Sequence, residues 1–348
     1  MQTRDNRKGS RTKYWILGTV GGLLLAVCIV LIPLLTVTSA QSATIRIPRG
    51  ADGKVLTDTL TKYFGEDYAR TVMRVMTEDQ KKLSLRFGAY DIPEGTSALK
   101  ATYILSRGAE SPFNLVINGV RDLDSFLPRI ATRFYFPEDS LRSALARPEV
   151  MQRYGLTDTR QLPAIFLNDT YTFYWSASPD KVIEKIASNY ENFWTPARRQ
   201  RAQELGMTPL EISIIASIVD EETNQQSEKG RVGRLYINRL HKGMKLQADP
   251  TVRYAVGDFT IKRVTGKHLS VDSPYNTYRV KGLPPGPIRT TSKATLQAIL
   301  DSEPSDDLYM CAKEDFSGSH NFASDYESHL ANARRYQAAL DSLGIKGN

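Results

Sequence analysis

At 348 residues, with 41% hydrophobic and 24% charged side chains, the chain is long enough to bury at least one sizeable core and to build two or three sub-domains. Its formal net charge is +8, but Arg4, Arg7, Lys8, Arg11 and Lys13 against Asp5 concentrate half of that in the first thirteen residues. The mildly basic body carries no zinc-finger, homeodomain or RNA-recognition signature; it suits an anionic polymer or a membrane surface, and no nucleic-acid partner is expected.

Residues 14–37 form an uncharged run of 24, enough to cross ~30 Å of hydrocarbon as a helix, with Pro33 near its end. The basic cluster before it predicts a cytoplasmic tail at residues 1–13, one transmembrane helix, and an extracytoplasmic body held at the cytoplasmic (inner) membrane. A cleaved signal peptide is the rival reading, since Thr38, Ser39 and Ala40 are small, but signal cores usually span only ~7 to 15 residues. Of the two cysteines, Cys28 lies inside the apolar run, so no disulfide framework can form with Cys311.

Beyond residue 44 strand-like runs alternate with amphipathic helices. A strand and turn at 44–51, a helix at 55–64 and another after it, a strand at 83–90 and a helix from 96 through 105 closed by Gly108 predict a compact unit of two strands and three helices. Pattern alone reads it equally as an ordinary α+β subdomain or as a glycan-binding module. A strand at 113–117, a tight turn at Asn118-Gly119, and helices at 123–134, 138–146 and 179–194 follow. The alternating aromatic stretch 166–175 suits either a sugar-stacking platform or a core strand. Arg198, Arg199 and Arg201 read as a solvated helix face.

The most informative helix starts at Pro209, because Thr208 and Glu211 stand where a capping box belongs. At ~100° per residue, Ile214, Ile215 and Ile218 form one stripe and Glu222 falls inside it. By the same phase Glu221 flanks the stripe and Asp220 points the other way. A desolvated glutamic acid has a raised pKa and can donate a proton at neutral pH; the alternative is a glutamate paired to Arg231 or Arg234. Residues 231–240 form a second amphipathic helix, and polar loops at 246–251, 273–278 and 282–288 follow, of the kind that line clefts. The four histidines are scattered, no H-E-x-x-H, paired cysteines, phosphate loop, dinucleotide fingerprint or G-x-S-x-G elbow occurs, and no metal or cofactor is expected.

Five segments in this order resemble the motif series of the endolytic murein transglycosylases, the MltG or YceG-like family. They are Ala216-Ser-Ile-Val-Asp-Glu-Glu-Thr223, Tyr236-Ile-Asn-Arg-Leu240, Met244-Lys-Leu-Gln-Ala-Asp-Pro-Thr251, Tyr275-Asn-Thr-Tyr278 and Gly282-Leu-Pro-Pro-Gly-Pro-Ile288. Ser319-His-Asn-Phe322 and Glu327-Ser-His-Leu-Ala-Asn332 resemble that family's closing motif. The resemblance implies an α+β chain with a single N-terminal transmembrane helix, a LysM-like subdomain at 44–112, an intermediate α+β region at 113–205 and a mixed α/β catalytic domain at 206–342. It implies a lyase that cleaves the β-1,4 bond between N-acetylmuramic acid and N-acetylglucosamine within peptidoglycan strands and leaves 1,6-anhydro ends. Glu222 matches the family's catalytic glutamate; Asn238, Gln247, Asp249, Tyr275, Asn276, Tyr278 and His320 are the candidate substrate contacts, with Asn238 also placed to hold the Glu222 helix. Peptidoglycan synthases or the elongation and division machinery are the implied partners. Two departures from the family pattern, Asp220 for a glutamate and Glu221 for a lysine, leave three adjacent acids, so Glu221 is expected to raise the pKa of Glu222 further. A hydrolytic muramidase with Asp249 as second carboxylate, and a non-catalytic wall-binding scaffold, are the alternatives.

Overall fold

A computed structural model describes residues 6–76, 86–261 and 263–343. Arg4 of the basic cluster and the first three residues of the strand expected at 83–90 lie outside the described residues. The described chain is mixed α+β and divides into two compact units, residues 1–113 with 173–176, and residues 114–172 with 177–348.

The first unit opens with α1 (Asn6–Thr36), whose stretch Lys13–Thr36 is long and apolar enough to cross a membrane. Strand β1 (Ala43–Ile47) pairs antiparallel with β2 (Gly88–Ile92), Ile45 opposite Tyr90, so the second strand sits a few residues later than its hydrophobic run suggests. Between them lie α2 (Gly53–Phe64), capped by the Asp52 carboxylate, and α3 (Glu66–Val75). Gly65, at φ 87°, lets the two helices follow one another without a longer loop, a backbone geometry that a side chain would strain. Helix α4 (Ala98–Arg107), capped by Ser97, completes the unit. Ile45, Ile47, Leu56, Leu60, Val72, Ile92 and Leu105 form its core, each almost fully buried.

The second unit is mainly helical. Strand β3 (Pro112–Ile117) pairs with β4 (Asp169–Tyr174), and the division between units falls within these two strands. Phe166, Tyr171, Phe173 and Trp175 are buried and Tyr174 is exposed, so the aromatic stretch is chiefly a core strand with one ring at the surface. Helices α5 (Leu123–Ala131), α6 (Ser140–Leu145), α7 (Pro148–Arg153), a 3-10 turn (Thr159–Ile165), α8 (Pro179–Phe193) and α9 (Pro196–Glu204) lead to α10 (Pro209–Glu222). Then come α11 (Lys229–His241), α12 (Asp249–Val256), α13 (Gly266–Leu269), α14 (Lys293–Leu300), the antiparallel pair β5 (Tyr309–Ala312) and β6 (His320–Ala323), and α15 (Tyr326–Ser342).

Helix α10 is the axis of this unit, and it starts where its capping box places it. Thr208 Oγ1 accepts from the Glu211 amide at 3.2 Å, and Glu211 returns the bond to the Thr208 amide at 2.7 Å. Every residue from Ile212 to Val219 is buried, so the helix has no solvent face. Small residues carry the close approaches. Ser217 Oγ accepts from the Ile288 amide at 3.0 Å, and a Cβ on Gly233 of α11 would come within 2.6 Å of Ile299 in α14. The rigid loop at 282–288 thus braces α10 instead of lining the cavity that contains Glu222. Its Gly286 lies against the Arg160 carbonyl, where a Cβ would meet backbone at 2.0 Å.

Candidate active site

A cavity of about 240 Å³ in the second unit is lined by Glu222, Tyr236, Arg239, Gln247, Asp249, Tyr278, His320 and the edge of β5 from Met310 to Ala312. Each wall has a separate structural cause. Glu222 is the last residue of α10, four residues beyond Ile218, so the stripe that packs the helix also delivers its carboxyl to the cavity. Tyr236 lies on the buried face of α11 with Val232 and Leu235, and its hydroxyl donates to Glu222 Oε1 at 2.7 Å. Arg239, one turn along α11, is 9% exposed and donates to the carbonyls of Leu308 and Leu246, at 2.6 and 2.7 Å. That guanidinium holds the start of β5 and the approach to α12 on opposite sides of the opening.

Gln247 has φ 50°, a left-handed backbone that a glutamine seldom adopts and that its surroundings must enforce. The enforcing contacts are its amide bonded to the Thr277 carbonyl at 3.2 Å and the Ala248 amide bonded to Thr277 Oγ1 at 3.0 Å. Asp249 begins α12 and accepts from the Tyr278 hydroxyl at 2.7 Å. His320 begins β6; Glu228 accepts from its backbone amide at 2.8 Å and lies 3.0 Å from its Nδ1.

The electrostatics single out Glu222. It keeps partial contact with solvent, as a group that meets a ligand must, yet its carboxyl is closely surrounded by protein. Burial pushes its pKa up from 4.5 to about 7; the Tyr236 hydrogen bond opposes this, Asp249 adds to it, and the charges of His320 and Arg253 oppose it. Burial also pushes the Tyr236 and Tyr278 hydroxyls well upward, so both stay protonated donors at neutral pH.

The neighbouring acids differ from the phase reading in two ways. Asp220 does not face solvent. Its carboxylate, 6% exposed, receives Lys229 Nζ and Thr295 Oγ1, both at 2.6 Å, because the face opposite the stripe packs on α11 and α14. Glu221 is gripped by Arg289 at 2.6 Å and by the fork of Arg121, at 3.0 and 2.9 Å, so its charge is compensated and the carboxylate that raises the Glu222 pKa is Asp249. Arg231 and Arg234 are spent elsewhere, on Asp307 and the Ser302 carbonyl, and neither pairs with Glu222.

Of the residues singled out from sequence, Glu222, Gln247, Asp249, Tyr278 and His320 meet in this cavity. Three do not. Asn238 spends its amide on the Ser305 and Asp307 carbonyls, Asn276 is fully buried and bonds the Leu269 and Val271 carbonyls, and Tyr275 packs on Tyr254 with ring centroids 4.6 Å apart. Side-chain amides in tight turns satisfy backbone before they meet ligands. Sequence reading assigned no role to Tyr236 and Arg239, although their spacing of three on an amphipathic helix places both on the face that carries Val232.

Residues 45–335 match the YceG-like family. An endolytic murein transglycosylase of Bacillus subtilis is 34% identical over 147 residues, covering 41% of this chain and 40% of that protein. Another, from Streptococcus pneumoniae, is 24% identical over 274 residues, covering 75% of this chain and 48% of that protein. The matched stretch thus spans less than half the length of either relative. Among solved structures, a YceG-like protein of Listeria monocytogenes aligns with a TM-score of 0.53 at 25% identity, over 84% of this chain and 99% of that one. With the family match running over most of its length, the chain belongs to the YceG-like family.

Proposed function

We propose that this protein is an endolytic lytic transglycosylase of peptidoglycan, held at the membrane by α1, with its body outside. The observation that carries the reading is one carboxyl, Glu222, with a pKa of about 7, hydrogen-bonded to a buried tyrosine at the wall of a polar cavity. A group that titrates near neutral pH is present in both forms and can give up a proton and take one back in the same catalytic cycle. Glu222 protonates the glycosidic oxygen between N-acetylmuramic acid and N-acetylglucosamine. Its carboxylate, now stabilised by the Tyr236 hydroxyl, accepts the proton of the muramic C6 hydroxyl as that oxygen attacks C1 and closes the 1,6-anhydro ring. The nucleophile belongs to the substrate, so no second carboxylate is required, and a well-placed intramolecular group reaches effective molarities of ~10⁵ to 10⁸ M. Gln247 and His320, which line the same cavity, hydrogen-bond the sugar acetamido and hydroxyl groups in this reading. Among the described residues the β1-α2-α3-β2 order, with antiparallel strands, supports a LysM-like role for the first unit in holding the glycan. In this reading the enzyme acts alongside the peptidoglycan synthases, terminating or trimming nascent strands.

The presence of Asp249 in the same cavity favours one other reading, a hydrolytic muramidase in which Asp249 supports attack by water. Mass spectrometry of the strand ends released by the full chain separates the two. Anhydro ends support the transglycosylase, reducing ends support the muramidase, and release of neither by wild type returns the chain to a wall-binding scaffold.

A further inference from the structure

A second cavity in the same unit, of about 350 Å³, shares no lining residue with the Glu222 cavity. Arg121, Arg142 and Arg160 stand around it with Asp122, Asp124 and Tyr254, over a floor that includes the buried Leu127 and Leu162. Such a volume is of the size that holds small ligands, and guanidiniums facing carboxylates over an apolar floor suit a molecule that is itself both anionic and cationic.

The arginines are positioned and not exhausted. Arg121 binds Glu221 through Nε and Nη2, Arg142 binds Asp124 through Nη1 and Nη2, and Arg160 binds Asp158 through Nε and Nη2. Among the described residues these bonds leave Nη1 of Arg121, Nε of Arg142 and Nη1 of Arg160 for a ligand. Tyr254 lines the cavity with Asp122 and Asp124, so donor and acceptor groups converge on one space.

One helix, α12, lines both cavities, and the end of α10 links them. Glu221, which anchors Arg121, adjoins Glu222 at the end of α10. Asp249 and Tyr254 stand on α12 five residues apart, which is ~7.5 Å along the helix axis, one in each cavity. The two side chains leave α12 ~140° apart, so a branched substrate would turn around that helix to place its sugar at Glu222 and its branch among the arginines, and four extended residues reach up to ~14 Å.

We propose that this second cavity is a subsite for the peptide that branches from the muramic lactyl group. It is recognised by its free carboxylates at the three arginines, by its amine at Asp122 and Asp124, and by its alanine methyls on the leucine floor. The assignment rests on the glycan-cleaving reading for its substrate class. The probe is the sugar-free tetrapeptide L-Ala-γ-D-Glu-L-Lys-D-Ala, titrated calorimetrically into the full chain in detergent. Saturable binding is expected, weakened about tenfold in Arg142→Ala and in Arg160→Ala, the size of effect that losing one charged hydrogen bond produces. Both side chains are about half exposed, and thermal melting of each variant checks that the fold is kept. In parallel, the KM for peptide-bearing strands rises in these variants while kcat holds. Absence of saturable binding, or equal binding by wild type and both variants, overturns the subsite. A chain that binds the peptide through these arginines but cuts no glycan sinks the catalytic reading and leaves the subsite standing. One that cuts strands while ignoring the peptide does the reverse.

Discussion

The last turn of α10 carries three consecutive acids, and its two flanks treat them differently. On one flank Asp220 and Glu221 meet three cations, Lys229, Arg121 and Arg289, at ion-pair distance. On the other, Glu222 meets a tyrosine hydroxyl, with a second carboxylate in the same cavity. Identical chemistry therefore divides by surroundings. Compensated acids tie α10 to α11, α14 and the segment around residue 121, whereas the uncompensated one stores a high-energy charge that a substrate proton can relieve.

The sharpest way to break this contrast is to remove the uncompensated carboxyl. Glu222→Gln keeps the shape and the bond from Tyr236 but has no proton to give, so glycan cleavage should fall by about 10² to 10⁴-fold, the usual worth of a general acid. The same variant should be the more stable protein at high pH. A carboxyl whose pKa is about 7 folded and near 4.5 unfolded binds its proton more tightly in the folded state. Wild-type stability therefore declines as pH rises from about 4.5 through 7, and above that range the charged carboxyl costs about 3 kcal/mol. Glutamine carries no such dependence. Urea unfolding of both proteins at pH 5 and pH 8.5 should give similar values at the lower pH and a more stable variant at the higher; a wild type that gains stability across this range would refute the raised pKa.

On the compensated flank the expected loss is of stability. Lys229→Met leaves Asp220 buried with only Thr295 to receive it, and breaking one half of a buried ion pair costs about 3–5 kcal/mol. Asp220→Asn added to Lys229→Met should recover most of that loss, because it removes the stranded charge. Denaturation midpoints of the two variants test the point. Equal destabilisation in single and double variants would mean that packing, not charge, holds this flank.

Much of this turn was legible in sequence, and what was not has one physical origin. Thr208, Pro209 and Glu211 act locally, so they fixed the helix start and its phase without knowledge of the rest of the chain. Phase shows which residues share a face; it does not show what packs on the other side. Asp220 looked solvent-facing because an amphipathic helix normally keeps a wet face, whereas α10 is surrounded. Its cation, Lys229, lies within nine residues, but Arg121 and Arg289, the partners of Glu221, come from 100 residues before it and 68 after. The same limit hid the second cavity, whose arginines at 121, 142 and 160 form no motif and converge only through the packing of α5, α6 and the 3-10 turn. Asn276 shows the opposite error. A polar residue in a turn attracts a binding role, yet its three bonds to backbone close that turn.

The smallest effects expected are also the most diagnostic, because they have opposite signs at one carboxyl. The Tyr236 hydrogen bond holds the Glu222 pKa down and the Asp249 charge pushes it up. Tyr236→Phe should therefore raise that pKa and Asp249→Asn should lower it. If Glu222 must be protonated to begin the reaction, kcat/KM falls as pH rises through its pKa, so the alkaline arm of the profile moves to higher pH in Tyr236→Phe and to lower pH in Asp249→Asn. Near pH 7 the change in protonated fraction alone should alter each rate by only about threefold, and any loss beyond that in Tyr236→Phe measures what its hydroxyl contributes to stabilising the carboxylate. Anhydro ends should persist in Asp249→Asn. If that variant instead abolishes cleavage while its fold is intact, Asp249 is the second carboxylate of a hydrolase and the two flanks of α10 differ less than their contacts suggest. Movement of the acidic arm, with the alkaline arm fixed, would mean that Glu222 starts the reaction as a base.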